Sequence, residues 1–150
     1  MPLYNPVPGG GATVVRKSAD EVVNNSIVLQ DDDELKLAVK VNEVWRILVF
    51  LKINSQAAQR FKWIFTVPAG ATLISFEKFE DNDPAQIASR DITAQTDSFT
   101  AGGVQYLCFY ALYVGAAAAG YIQLQWAQTV AAANDTTVYE NSHLIAHKLT

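Results

Sequence analysis

The chain has 150 residues, of which 50% are hydrophobic, 11% aromatic and 17% charged. That length fits one domain burying roughly 68–70% of its unfolded surface, and that composition excludes a largely disordered chain. A net charge of −4, with lysine and arginine scattered no more densely than in pairs, supplies no basic field for nucleic acid or an anionic membrane, so neither is expected as a partner. Cys108 stands alone, which excludes an intrachain disulfide and a cysteine-built zinc site and leaves stability to packing.

Residues 1–13 carry Pro2, Pro6 and Pro8 and the glycines 9–11, a composition that favours extended backbone over helix. The expectation is an N-terminal arm that reaches roughly 40 Å when extended. Leu3, Tyr4, Asn5, Pro6 and Val7 are its candidate protein-contact residues, with Leu3, Tyr4 and Val7 as the apolar anchors. The arm lacks the basic start and apolar stretch of a signal peptide, and no apolar run reaches the length of a membrane span. A soluble protein made inside a cell is expected.

From residue 14 to 150 the pattern has a period of two, broken every ten or so residues by turn-forming clusters, which predicts one all-β, antiparallel domain, either a β-sandwich or a β-barrel. Leu35, Leu37, Val39 and Val41 alternate with Lys36, Ala38, Lys40 and Asn42. The same alternation marks strands over 61–67 and 122–127. Residues 31–33, 54–59, 80–84, 102–103, 115–120 and 131–135 read as loops. Pro68 and Gly70 predict a type I turn over 67–70 at a hairpin corner, and the alanines 116–119 are too few to hold a helix.

Two segments break the pattern of one wet face. In 43–53, Trp45, Ile47, Val49, Leu51 and Ile53 are opposed by Val44, Leu48 and Phe50. In 104–114, Leu107, Phe109, Ala111 and Tyr113 are opposed by Tyr106, Cys108, Tyr110 and Leu112. An antiparallel strand that is apolar on both faces needs a second cover, either another subunit or a further layer such as residues 80–100. The terminal residues 142–150 read as a strand that ties the chain end into the sheet.

No reactive constellation emerges, so no catalytic residue, cofactor or metal is assigned. Residues 11–18 lack the second glycine of a phosphate loop, and there is no serine nucleophile elbow. His143 and His147 would lie on one strand face roughly 13 Å apart, too far to share an ion, and read as edge or interface histidines. The acidic runs 31–34 and 80–83 lack the ligand spacing of a calcium loop and read as solvated turns. Glu77 and Glu80 are not placed across any recognisable cleft.

The runs 16–21, 29–35, 42–45 and 65–72 (RKSADE, LQDDDEL, NEVW, FTVPAGAT), with 124–128 and 142–147 (LQWAQ, SHLIAH), resemble a family of small structural proteins of tailed bacteriophages. The resemblance covers more than half the chain, while 79–103 matches nothing in it. It implies a capsid decoration, or cement, protein: a non-enzymatic homotrimer on the outside of the head, assembled in the host cytoplasm, that binds the major capsid protein and clamps neighbouring subunits. The alternative it leaves is a head-fibre, tail-fibre or baseplate module for host attachment.

Overall fold

Alternating apolar and polar side chains are realised as antiparallel strands. The computed structural model describes residues 11–80, 83–86, 90–93, 97–99 and 102–150. In chain order the strands are β1 (Thr13–Arg16), β2 (Glu21–Val23), β3 (Gln30–Val39), β4 (Val44–Ser55), β5 (Phe61–Thr66) and β6 (Thr72–Glu80). They continue as β7 (Asp83–Gln86), β8 (Arg90–Asp91), β9 (Asp97–Phe99), β10 (Gly103–Val114), β11 (Gly120–Gln128), β12 (Thr136–Val138) and β13 (His143–Lys148).

Of the two architectures the sequence allows, the chain adopts the sandwich. Sheet 1 has nine strands on the path β1-β13-β4-β10-β6-β7, with β12, β2 and β8 attached beside it; sheet 2 has the four strands β3-β11-β5-β9. The long strands β4 and β10 pair along their whole length at the centre of sheet 1, from Val44↔Val114 to Ser55↔Gly103. Their inward side chains, Ile47, Val49, Leu51, Leu107, Phe109 and Ala111, meet Leu35, Phe61, Trp63, Phe65, Leu124 and Trp126 from sheet 2. Trp63 stacks on Phe109 at 5.2 Å between ring centroids, and Phe65 meets the same ring edge-on at 6.2 Å, so aromatic contacts join the two layers.

The chain passes repeatedly from one sheet to the other, which a period-two pattern does not reveal. The expected hairpin corner after β5 is one such crossing, since β5 lies in sheet 2 and β6 in sheet 1. The turn there is also shifted by one residue: the Ala71 amide donates to the Pro68 carbonyl, and Gly70, at φ +78°, occupies the third position. That is the position where a type II turn demands positive φ. Residues 31–33, expected as a loop, lie within β3. Thr13, assigned by sequence to the arm, opens β1 opposite Ala146. Residues 1–10, and with them Leu3, Tyr4, Asn5, Pro6 and Val7, lie outside the described residues.

The segment 80–100 does not form a second layer over β4 and β10 among its described residues. Strands β7 and β8 pair with β6, while β9 pairs with β5. Between them Ile92 is buried, its carbonyl accepting from the Phe65 amide and its amide donating to Leu73, which stitches sheet 2 to sheet 1 at this margin. At the other end, β13 runs to Lys148 and the Leu149 amide donates to the Val44 carbonyl, tying the chain end down as the sequence suggests.

Candidate protein-interaction face

The outer face of sheet 1 is assembled by strand register. Across β1, β13, β4 and β10, Val14, Ile145, Leu48 and Tyr110 fall in one row, and Arg16, His143, Phe50 and Cys108 in the neighbouring one. On the other side of the first row, His147, Arg46 and Leu112 line up with Ile74 of β6. All of these point away from the core, because the residues between them, such as Leu144, Ala146, Ile47, Val49 and Phe109, are buried. The result is the doubly apolar pair of strands anticipated from sequence, with Val14, Ile74, Val104, Tyr106 and Val114 between 40% and 59% exposed.

The rows are knitted by aromatic and cationic contacts. Phe50 stacks on His143 at 5.1 Å and meets Tyr106 at 5.8 Å. The Arg46 guanidinium lies over the Tyr110 ring at 4.9 Å, and the Lys52 ammonium over Tyr139 at 4.8 Å. A shallow depression of about 260 Å³ is lined by Arg46, Leu48, Tyr110, Ile145 and His147. Tyrosine, phenylalanine and arginine on an apolar floor are the residues enriched where proteins meet proteins.

Both histidines sit on this face. The ring Nδ1 of His143 lies 2.8 Å from the Asn141 carbonyl, which only accepts, so that nitrogen carries the hydrogen. His143 is paired on both sides, by Arg16 of β1 and Phe50 of β4, so of the two readings, edge or interface, the edge is excluded for it; His147 lies beyond the β1 pairing and faces Arg46 of β4. Cys108 is a free, half-buried thiol whose pKa is raised by burial. No group of three metal-ligating side chains occurs among the described residues. The side chains of Glu77 and Glu80 lie outside them.

The acidic run 31–34 is not the solvated turn its composition suggests. Asp31 accepts from Gln125 at 2.8 Å, and Glu34 accepts from the Ser18 amide and hydroxyl, the hydroxyl contact first in pulling its carboxyl pKa down. Asp32 is buried at 1% exposure, and so is Lys17. The Lys17 Nζ lies 3.0 and 2.9 Å from the two Asp32 oxygens and 2.6 Å from Glu21 Oε2. Burial works against the Lys17 ammonium, but hydrogen bonds to Glu21 and Asp32 outweigh it and its pKa is raised; burial raises that of Glu21.

A bulge explains how Asp32 comes to point inward. Opposite β11 the register jumps, so that Gln123 faces Lys36 and Gln125 faces Asp31. The surplus residues of β3 turn Asp32 into the core, where its Oδ1 accepts from the Glu34 and Leu35 amides and its Oδ2 from the Trp126 indole. Sequence carries one faint sign of this: the inward phase of Leu35, Leu37 and Val39 would place Asp33, not Asp32, inside.

No family model and no curated protein matches the chain. Among solved structures, that of infectious bursal disease virus, Gx strain, is similar at a TM-score of 0.31 and 12% identity, over 99% of this chain and 45% of that one. A likeness at that level does not define a shared fold, and the chain spans less than half the length of its counterpart.

Proposed function

We propose that the chain is a structural protein of a virus particle, and within that class a capsid decoration (cement) protein of a tailed bacteriophage. It binds the major capsid protein on the outside of the head and clamps neighbouring subunits, acting by contact and not by catalysis. The observation that carries this reading is the outer face of sheet 1, where Tyr106, Tyr110, Phe50 and Arg46 stand on a floor of Leu48, Ile145 and Leu112 with no second layer among the described residues. A lone apolar residue on a surface needs no explanation, whereas a contiguous aromatic patch marks a docking site.

In this reading the major capsid protein takes that face, and the arm residues Leu3 to Val7 add a strand to a neighbour's open sheet edge. Association of three copies presents the contact repeatedly on the virion surface, and multivalency turns a modest affinity into firm cohesion. The resemblance of runs such as 16–21 and 65–72 to small structural proteins of tailed bacteriophages supports the same class. The test is co-sedimentation with heads stripped of their decoration. Tyr110→Asp and Leu48→Glu, both outward and therefore compatible with folding, are expected to weaken binding at least tenfold; undiminished binding by both variants sinks the proposal.

A second reading, a fibre or baseplate module that meets a host receptor, is favoured by the depression beside Tyr110, Arg46 and His147. Counting copies per particle separates the two: a decoration protein scales with the number of capsid subunits, and an attachment module does not.

A further inference from the structure

We propose that Lys17 and Asp32 are joined by an intramolecular amide bond that the folded chain makes for itself, with Glu21 relaying the proton. This inference does not depend on the role proposed above. It rests on two buried groups, Lys17 and Asp32, and the part-buried Glu21, brought together from different elements. Lys17 directly follows β1 of sheet 1, Asp32 sits in the bulge of β3 in sheet 2, and Glu21 opens β2.

The reacting atoms are close and held. A nitrogen about equidistant from both oxygens of a carboxyl lies roughly 3 Å from its carbon, the separation of a near-attack arrangement. The Lys17 backbone is pinned on both sides, its amide donating to Ser142 and its carbonyl accepting from Asn141. The Asp32 side chain is fixed by the Glu34 and Leu35 amides, 3.1 and 2.8 Å from Oδ1. With the partners pre-positioned, the entropy that opposes bringing an amine to a carboxyl in water is already spent, worth effective molarities on the order of 10⁵ M or more.

The chemistry balances without a co-reactant. Glu21, 2.6 Å from Nζ, takes a proton from Lys17 and leaves a neutral amine. Its lone pair attacks the Asp32 carboxyl carbon, and the charge that develops on Oδ1 falls where the two backbone amides already donate. Glu21 returns that proton to Oδ2, then takes the second proton from the attached nitrogen and passes it to the same oxygen, so that the C–Oδ2 bond breaks with water as the leaving group and Glu21 ends as the carboxylate it began as. Oδ1 remains as the amide carbonyl with its two donors intact. The buried Lys17–Asp32 ion pair becomes one neutral group, which removes the desolvation penalty of those two charges and leaves the Glu21 carboxylate as the one remaining charge of the three.

The product would link the first strand of one sheet to the first strand of the other, next to the segment through which any load on the N-terminal arm enters the domain. The experiment is intact-mass measurement of the purified, denatured full chain, followed by peptide mapping. The folded wild-type protein is expected to weigh one water less than its sequence, with residues 17 and 32 in one cross-linked peptide. Asp32→Ala and Glu21→Gln should carry their full sequence mass. Asp32→Asn, which loses ammonia instead of water, should arrive at the same product mass as the wild type. Full sequence mass in folded wild-type protein, or loss of water mapped to any other pair of residues, overturns the proposal.

Discussion

The outer faces of the two sheets arise from the same alternation and end in opposite chemistry. On sheet 2 the outward residues of β3, β11 and β5 include Lys36, Ala38, Tyr121, Gln125, Lys62 and Thr66, and the contacts between them are polar or cationic, such as the Lys36 ammonium over Tyr121. On sheet 1 the outward residues of β4, β10 and β13 are mostly aliphatic and aromatic, and the cations Arg46 and Lys52 lie over aromatic rings. Water serves as the second layer for the first face. The second presents the kind of surface that another protein covers, and β4 carries the contrast within one strand, because Leu51 faces in and Leu48 faces out.

The largest expected effect tests that contrast directly. Leu51→Ala removes a fully buried side chain from the sandwich core and is expected to cost about 2–5 kcal/mol in a denaturant titration. Leu48→Ala, three residues away and half-buried, should cost the isolated protein less than about 1 kcal/mol. Equal losses would mean that the outer face is already covered within the chain, and the distinction between the two faces would fail.

A second substitution probes how the sheets are held in register. At the crossing from β10 to β11, the Gly115 amide donates to the Glu43 carbonyl at 2.8 Å, and a Cβ at this position would stand 2.7 Å from that same oxygen. The obstacle is backbone, so it cannot swing aside. Gly115→Ala is expected to lower stability by about 1–3 kcal/mol, read from the same titration, by forcing the two chain segments apart.

Acid tests the same corner. Burial of the Glu43 carboxyl acts to raise its pKa, but hydrogen bonds from Lys148, the Lys40 amide and the Trp45 indole prevail and bring it from 4.5 to about 2. A carboxyl with a depressed folded pKa contributes stability that is fully present above pH 4.5 and lost as pH falls towards 2. The Lys148 ammonium is half in solvent, so the contribution is about 2 kcal/mol at most. Unfolding free energies measured across that window should fall, and in Glu43→Gln this part of the decline should be absent.

Sequence made the strands legible because alternation is local: β3, β5 and β11 fall where Leu37, Trp63 and Leu124 alternate with polar neighbours. The doubly apolar β4 and β10 were visible for the same reason, and so was the candidate face. The allocation of strands to sheets was not legible, because a turn such as 68–71 has similar chemistry whether it joins hairpin partners or crosses the sandwich. The Lys17, Glu21 and Asp32 cluster escaped for a different reason. Charged residues in a run are most economically read as solvated, and only a bulge, which is a property of two paired strands, turns Asp32 inward.

The smallest expected effect is the control that gives the face its meaning. Ile64 on sheet 2 and Tyr110 on sheet 1 are both outward and half-buried, each on a strand paired on both sides. Substituting either by serine should change stability by no more than about 1 kcal/mol, since neither empties a core site. Ile64→Ser should also leave binding to stripped phage heads unchanged, whereas Tyr110→Ser should weaken it. If both lose binding equally, burial of apolar area alone drives association and the aromatic face has no special part. If only Tyr110→Ser does, the partner reads one sheet of the sandwich, and the position of Tyr110 under the Arg46 guanidinium identifies the centre of that contact.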